Sequence, residues 1–439
     1  MTSHREPASP AGRRVRVVAA TACAVAVSVT ALGLPAAAAA SARPPATATT
    51  TATTAVATAD AATAAARGRV VDAVPLRTLT AAEVRTLLRD AGFDASRAAY
   101  DVDLTRIVYR TVDPEGRPTV ASGLVVLPRN GSRALTAVSY AHGSEVYRGD
   151  APSVSGDAWT LAVPLTYASA GYAAVAPDYV GLGVGPGPHP WLDVPSEVTA
   201  QLDLLRAARS FAHPRVLRRD VLLTGFSQGA SAATGLAKAL QHGADGGSSG
   251  FRPVAVAPVS GAYDLRRAEL PALLGGELHP VWSTAYTAYL LVAWNRLHHL
   301  YDSPAEVFAP RYAGTVEALF DGDHPGDQVV GGLPGSVGEL LTPEGRRLLE
   351  RPSPALSRAL RIADATVSGW RRPVPVRLYR ATGGDEQVAG TNTDSARRQL
   401  AASGVPVTVV DVGPVDHLTS NARGTAAALA WFTTVRPPR

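Results

Sequence analysis

The ten residues from Val221 to Ala230, VLLTGFSQGA, constrain this chain more than any others. An apolar run suited to a buried strand leads straight into Gly225-Phe226-Ser227-Gln228-Gly229, and small residues at helical spacing follow from Ala230. The pattern predicts a strand, an abrupt turn and a helix. Glycines on both sides of Ser227 suit such a turn, because neither carries a Cβ to collide with backbone as the strand folds back under the helix. The serine is left at the crest above the helix N-terminus, where an oxyanion can form against the amide of Gln228. With 40 glycines in 439 residues the pentapeptide can also arise by chance. The alternative is a glycine-softened connection in which Ser227 only caps the helix, and the other strand ends have to decide.

Residues 1–42 read as an export signal. Arg13, Arg14 and Arg16 precede a small-apolar run from Val17 to Leu34, and a cleavage site of the A-x-A kind falls after Ala40 or Ala42. The run is too alanine-rich, and too promptly followed by small residues, for a permanent span. Cys23 is the only cysteine and lies inside this segment, so the exported chain has neither a disulfide framework nor thiol chemistry. Residues 43–66 are Ala/Thr/Pro low complexity and are expected to form a disordered leader. Of the formal charge of +5, the export segment supplies +3. No basic stripe, zinc-finger spacing or aromatic interleaving is left to suggest a nucleic-acid partner.

Beyond the leader, a capping box at Thr80-Ala81-Ala82-Glu83 opens a short helix. Tyr100 to Val112 and Thr119 to Leu127 form an antiparallel hairpin about Asp113-Pro114-Glu115-Gly116. Short apolar strands then alternate with helices. The strands cover Leu135 to Tyr140, Gly171 to Ala176, the Ser227 strand and Pro253 to Val259; the helices cover Trp159 to Ala168 and Val198 to Phe211. That rhythm predicts a mostly parallel sheet covered on both faces. Ala262 to about Arg372 breaks it with a long aromatic helix, Trp282 to Leu300, a shorter helix, Gly314 to Phe320, and a glycine-rich stretch from Val329 to Val337. The rhythm resumes with strands at Val374 to Arg380 and Val405 to Val410, and helices at Asn392 to Ala402 and Ala422 to Phe432.

Chemistry in such a sheet gathers beyond the carboxyl ends of the strands. Those ends lead to His142-Gly143-Ser144, Asp178, Ser227, Asp385 and His417, and the order serine, acid, histidine is the one expected of an acyl-transfer triad on this kind of sheet. Imidazole meets the needs of a general base, and Asp385 is placed to orient it, with the adjacent Glu386 as a rival. The alternatives are a turn-forming Asp385, and a His417 that lies in a surface loop or caps a helix with Asp416. Gly143 or Ser144 is expected to donate a second oxyanion amide, and His142 either holds that loop or touches substrate. Asp178 reads as structural. His298-His299 and Asp321-x-Asp323-His324 lack metal-site spacing and read as solvated, so no metal site is expected.

Taken together, these pieces, with Pro177-Asp178-Tyr179-Val180-Gly181-Leu182-Gly183, resemble the alpha/beta-hydrolase superfamily, and within it the secreted lipases of fungi and actinobacteria. The resemblance covers nearly all of the chain after the leader. It implies an α/β fold with a mostly parallel central sheet flanked by helices: core at 67–261 and 373–439, with a helical cap inserted at 262–372. It implies a secreted or cell-surface enzyme that hydrolyses carboxylic esters, with Ser227 as nucleophile, His417 as base, Asp385 as orienting acid, and Gln228 with Gly143 and Ser144 as oxyanion donors. The lack of cysteine departs from fungal relatives that rely on disulfides, which bears on stability more than on chemistry. No metal or organic cofactor is required; the partner is a small-molecule or lipid ester, with transient contact at a lipid interface and no obligate protein partner. Trp282, Tyr286 and Trp294 in the aromatic helix either line an acyl pocket or pack the core of the cap. A serine peptidase or amidase, an acyltransferase, and an inactive surface-binding protein that kept the fold are the competing readings. Intact Ser227, Asp385 and His417 argue against the last.

Overall fold

The computed structural model describes residues 66–243 and 250–438. The expected export segment, and the expected leader up to residue 65, lie outside the described residues. Strand β1 (Val70–Leu79) is followed by α1 (Ala81–Asp90), whose capping box at Thr80 and Glu83 is formed as expected. Strands β2 (Val102–Val112) and β3 (Pro118–Pro128) form the hairpin, and β4 (Ala134–Ala141), α2 (Ala158–Ser169), β5 (Ala173–Pro177) and α3 (Val194–Phe211) follow. Next come β6 (Val216–Phe226), α4 (Gln228–His242) and β7 (Arg252–Val259). After a long insertion the chain returns as β8 (Val376–Arg380), α6 (Thr391–Ala402), β9 (Val407–Asp411) and α7 (His417–Val435), the insertion itself being built on α5 (Pro280–His298).

The nine strands make one sheet in the order β1-β2-β3-β5-β4-β6-β7-β8-β9. From β5 to β9 every neighbour is parallel, and β1, β2 and β3 extend one edge antiparallel. This is the α/β-hydrolase architecture, with a helical cap inserted between β7 and β8.

Alternation along the inner strands explains why their sequences are continuously apolar. Leu222 of β6 joins the core under α1, α2 and α7, while Val221 and Leu223 join the core under α3, α4 and α6. Both faces are buried along Val221–Leu223, which is why that run is apolar at every position, and the buried Thr224 that follows bonds its hydroxyl to the carbonyl of Ala257 at 2.8 Å. The cap has a third core, which includes Trp294, Leu291, Phe308 and Phe320 and extends to Trp191 and Val194 ahead of and at the start of α3.

Several elements differ from the sequence reading. Strand β1 was not foreseen: most of its residues are exposed or half-buried, its pairing with β2 carries two irregularities, and Pro75 sits within it, so the period-two signal is lost. The segment expected as one helix from Gly314 to Phe320 is instead a four-residue helix at Pro310–Ala313 and a single 3₁₀ turn at Ala318–Phe320. Two short helices, Gly326–Gly331 and Val337–Leu340, occupy the glycine-rich stretch. Helix α7 begins at His417 rather than Ala422, because Asp416 caps it by accepting the N–H of Thr419 at 2.6 Å.

Candidate active site

Ser227 stands between the end of β6 and the first residue of α4 with φ 55° and ψ −120°, a left-handed conformation that is strained for a side chain other than glycine. Its neighbours show what this turn demands. A Cβ on Gly225 would lie 2.0 Å from the carbonyl oxygen of Gly229, and one on Gly229 would lie 2.0 Å from that of Ala141. The strand, the helix and the end of β4 therefore approach backbone to backbone, and both glycines are obligatory at this spacing. Ser227 is also held by its own N–H, which donates to Val259 at 3.0 Å.

His417 is the first residue of α7 and is buried. Its Nδ1 lies 3.0 Å from Oδ2 and 2.9 Å from Oδ1 of Asp385, so Nδ1 carries the proton and donates to the carboxylate. Oδ1 of Asp385 also accepts the N–H groups of Gln387 at 3.1 Å and Val388 at 3.0 Å. Burial works against ionising Asp385, but the bond and charge of His417, with those two amides, outweigh it and hold the carboxyl below the usual aspartate value. Glu386 does not face the ring: its Oε2 accepts the backbone N–H of His417 at 3.0 Å, and its Oε1 accepts from Gln387 at 3.0 Å. Asp385 thus orients the imidazole while Glu386 and Asp416 hold the backbone that carries it. On the other side of the ring, Phe226 packs with centroids 4.6 Å apart. Nε2 of His417 is buried and has no hydrogen-bond partner among the described residues.

Ser227 and His417 line one cavity together with His142, Gly143, Ser144, Glu145 and Trp159. Ser227 also lines a second, narrow and mostly apolar pocket that runs under the cap between Trp191, Leu265, Leu270, Leu273 and Leu290. The serine therefore sits at the junction of two spaces of different polarity.

The expected oxyanion donors are close at hand. A Cβ built on Gly143 would lie 3.6 Å from Cβ of Ser227 and 3.1 Å from Cδ1 of Phe226, so this loop passes directly over the serine. Ser144 lines both cavities, and its Oγ accepts from the indole N–H of Trp191 at 2.9 Å. Gln228 opens α4, and its backbone N–H has no carbonyl four residues back within the helix to bond to. The Gln228 side chain does not enter the cavity freely: its Nε2 donates to Oε1 of Glu197 at 2.7 Å and to Nε2 of His189 at 3.0 Å. His189 in turn donates from Nδ1 to the carbonyl of Val180 at 2.9 Å.

His142 braces the loop. Its Nδ1 donates to the carbonyl of Gly143 at 2.8 Å, its ring packs on Tyr179 at 4.4 Å, and burial pushes its imidazole down to about 4, so it is neutral at ordinary pH. Asp178 is buried and accepts from Ser122 Oγ at 2.6 Å and from the Ser153 N–H at 2.8 Å, which fixes the glycine-rich loop after β5.

The three aromatic residues expected at the substrate separate. Tyr286 lines both cavities, and its hydroxyl donates to Oε1 of Gln387 at 2.6 Å. Trp282 stacks behind it at 6.1 Å and lines neither cavity. Trp294 is 1% exposed and donates to the carbonyl of Trp191 at 2.9 Å; one turn of α5 separates it from Leu290 at the pocket, and it belongs to the cap core. Asp321 bonds to His324 at 2.9 Å and Asp323 to Arg148 at 2.7 Å, and no group of three or more metal-ligating side chains occurs among the described residues. Sequence reasoning missed Trp191, His189, Glu197, Gln387 and Glu269. The proline-rich loop carrying His189 and Trp191 is a sequence signal that could have drawn attention to those two; nothing in the sequence separates Glu197 and Glu269 from solvated acids.

No protein-family model and no curated protein matches the chain. The sheet order, the cap and the turn at Ser227 together define a protein of the α/β-hydrolase fold, and solved structures agree. The chain is similar to the rice cell wall degrading esterase LipA of Xanthomonas oryzae, with 26% identity and a TM-score of 0.68 over 85% of this chain and 97% of that one. It is similar in fold to a provisionally assigned hydrolase from Legionella pneumophila (24% identity, TM-score 0.75, 84% and 98% covered) and to Candida antarctica lipase A in its closed state (18%, 0.61, 84% and 82%). Bacterial and fungal structures both appear, so the likeness does not single out the lipases of fungi and actinobacteria.

Proposed function

We propose that this protein is a secreted serine hydrolase that cleaves carboxylic esters through an acyl-enzyme, with Ser227 as nucleophile, His417 as general base and Asp385 as the acid that orients it. The observation that carries this reading is the state of the His417 ring: Nδ1 is committed to Asp385, and Nε2 is left buried and unpartnered in the wall of a cavity that Ser227 shares. A buried ring nitrogen without a partner is costly and calls for an explanation; Nε2 of His142 is also unpartnered among the described residues, but of the two only His417 has its other nitrogen on a carboxylate, the arrangement of a general base. The esterase and lipase activities named for the Xanthomonas and Candida structures support the same chemistry here. Export rests on the reading of residues 1–42 alone.

In the first half-reaction Nε2 takes the proton of Ser227 Oγ as that oxygen attacks the ester carbonyl. The resulting oxyanion is held by the amide of Gln228 and an amide of the Gly143-Ser144 loop. Nε2 then gives its proton to the departing alcohol oxygen, and the acyl group stays on Ser227. In the second half His417 deprotonates water, the new oxygen attacks the acyl-enzyme, and the serine recovers its proton as the acid leaves. The apolar cavity under the cap suits the acyl chain, and the cavity shared with His417 suits the alcohol and the incoming water.

Initial rates on an acyl chain-length series of 4-nitrophenyl esters test this. Ser227→Ala is expected to lower kcat by about 10⁴-fold or more with the fold intact; a variant that keeps its rate contradicts the assignment.

A further inference from the structure

The apolar cavity holds a carboxyl group that an alkyl chain cannot satisfy. Glu269 ends a five-residue π-helical turn, Leu265–Glu269, that brings its carboxyl into the wall of this cavity; single π turns recur at functional sites because they re-aim a side chain. Glu269 is 5% exposed. Its Oε2 accepts from the Ala389 N–H at 3.1 Å and from Nδ2 of Asn392 at 2.6 Å. Its Oε1 takes no hydrogen bond among the described residues. Of the other polar side chains of the cavity, Ser144 is bonded to Trp191, Gln387 to Tyr286 and Glu386, and Nε2 of Gln228 to Glu197 and His189; Oε1 of Gln228 is buried without a partner among the described residues, and Ser227 is the proposed nucleophile itself. A plain alkyl chain filling the cavity would strip water from Oε1 and leave it unpaired. A hydroxyl on that chain would pair with it whether the carboxyl is protonated or not, since a hydroxyl both donates and accepts.

The geometry points to Glu269 as a specificity-determining residue that makes this cavity a site for hydroxylated acyl chains rather than plain alkanoyl ones. This rests on the ester-hydrolase reading above and names the acyl half of its substrate. Anchoring Ala389 and Asn392 through Oε2 is the structural share of Glu269; Oε1 is the share that faces the ligand.

The test compares 4-nitrophenyl octanoate with the positional isomers of its hydroxyoctanoate. One isomer is expected to be turned over by the wild-type protein with a kcat/KM about 10- to 100-fold above the plain ester, a preference carried mainly by KM. Glu269→Gln, which keeps an acceptor for Ala389 and Asn392 and turns an N–H toward the chain, should keep that preference, and Glu269→Met should abolish or reverse it. Should the methionine variant fail to fold, the wild-type comparison still decides, because equal kcat/KM for all isomers and the plain ester overturns the proposal. So does a preference that survives in a folded Glu269→Met protein. If no ester at all is turned over, the hydrolase reading fails separately. Binding of methyl octanoate and its hydroxy isomers to Ser227→Ala, followed by quenching of tryptophan fluorescence, then decides the pocket's preference, and equal affinities would reject it.

Discussion

Asp385 and Glu386 are adjacent carboxylates with different tasks, and nothing in the order of residues separates them. The separation comes from the two bonds that the loop makes to one histidine: Asp385 to its ring and Glu386 to its backbone N–H. Substituting each in turn should therefore give unequal losses. Asp385→Asn leaves the shape but presents the wrong partner to Nδ1, and should lower kcat by about 10³- to 10⁴-fold. Glu386→Gln keeps an acceptor for the backbone N–H and should cost about tenfold or less; steady-state kinetics on one activated ester measures both, and equal losses contradict the assignment of the orienting acid. The serine, the histidine and the aspartate were legible because each follows a strand that its apolar run announces. Trp294 was not separable from Tyr286 in sequence, because both share one aromatic helix and only the packing of the cap shows which turn of it reaches the cavity. Glu197 and Glu269 were illegible for the opposite reason: an acid in an amphipathic helix is normally a solvated face, and only burial reveals otherwise.

At the scale of the element, the molecule depends on how closely β6, α4 and β4 meet under Ser227. A methyl group at residue 229 would sit 2.0 Å from the carbonyl of Ala141, which is backbone and has no room to give. Gly229→Ala should therefore lower the melting temperature by about 10 °C or prevent folding, well beyond what a surface glycine-to-alanine change does. Gly275→Ala, where a Cβ meets nothing within 4 Å, is the matched control and should leave the melting temperature within about 2 °C. Equal effects of the two would contradict the close approach. The inner strands and the helices beside them were readable because both faces of the sheet are buried and the pattern is strong. The edge strand β1 escaped notice because it is largely exposed, and the short helices of the cap did so because tertiary packing and individual caps decide them over so few residues.

Across the whole molecule, buried titratable groups set how stability responds to pH. Burial pushes Glu197 up to about 8, against its bond from Gln228, and Glu269 up to about 8, against its bonds from Ala389 and Asn392. In the unfolded chain these carboxyls ionise in the ordinary glutamate range, about 4.3. From about that pH to about 8 the folded state thus holds more protons than the unfolded one, and stability falls as the pH rises through this window. Burial acts in the opposite sense on histidine, holding His142 down at about 4 and His189 at about 3. Unfolding lets both take up protons below about pH 6.5, so stability also falls as the pH drops from there. Between about pH 4.3 and 6.5 the two effects oppose each other, and above that the glutamates act alone, so thermal melts should show a decline from about pH 6.5 to about pH 8 that shrinks in Glu197→Gln; a curve still rising to pH 8 contradicts this. The central claim concerns the serine itself, and covalent labelling tests it most directly. A fluorophosphonate probe followed by mass spectrometry should give one adduct, mapped to Ser227 and missing from folded His417→Ala. An unlabelled Ser227 in folded wild-type protein, or equal labelling without the histidine, would contradict it.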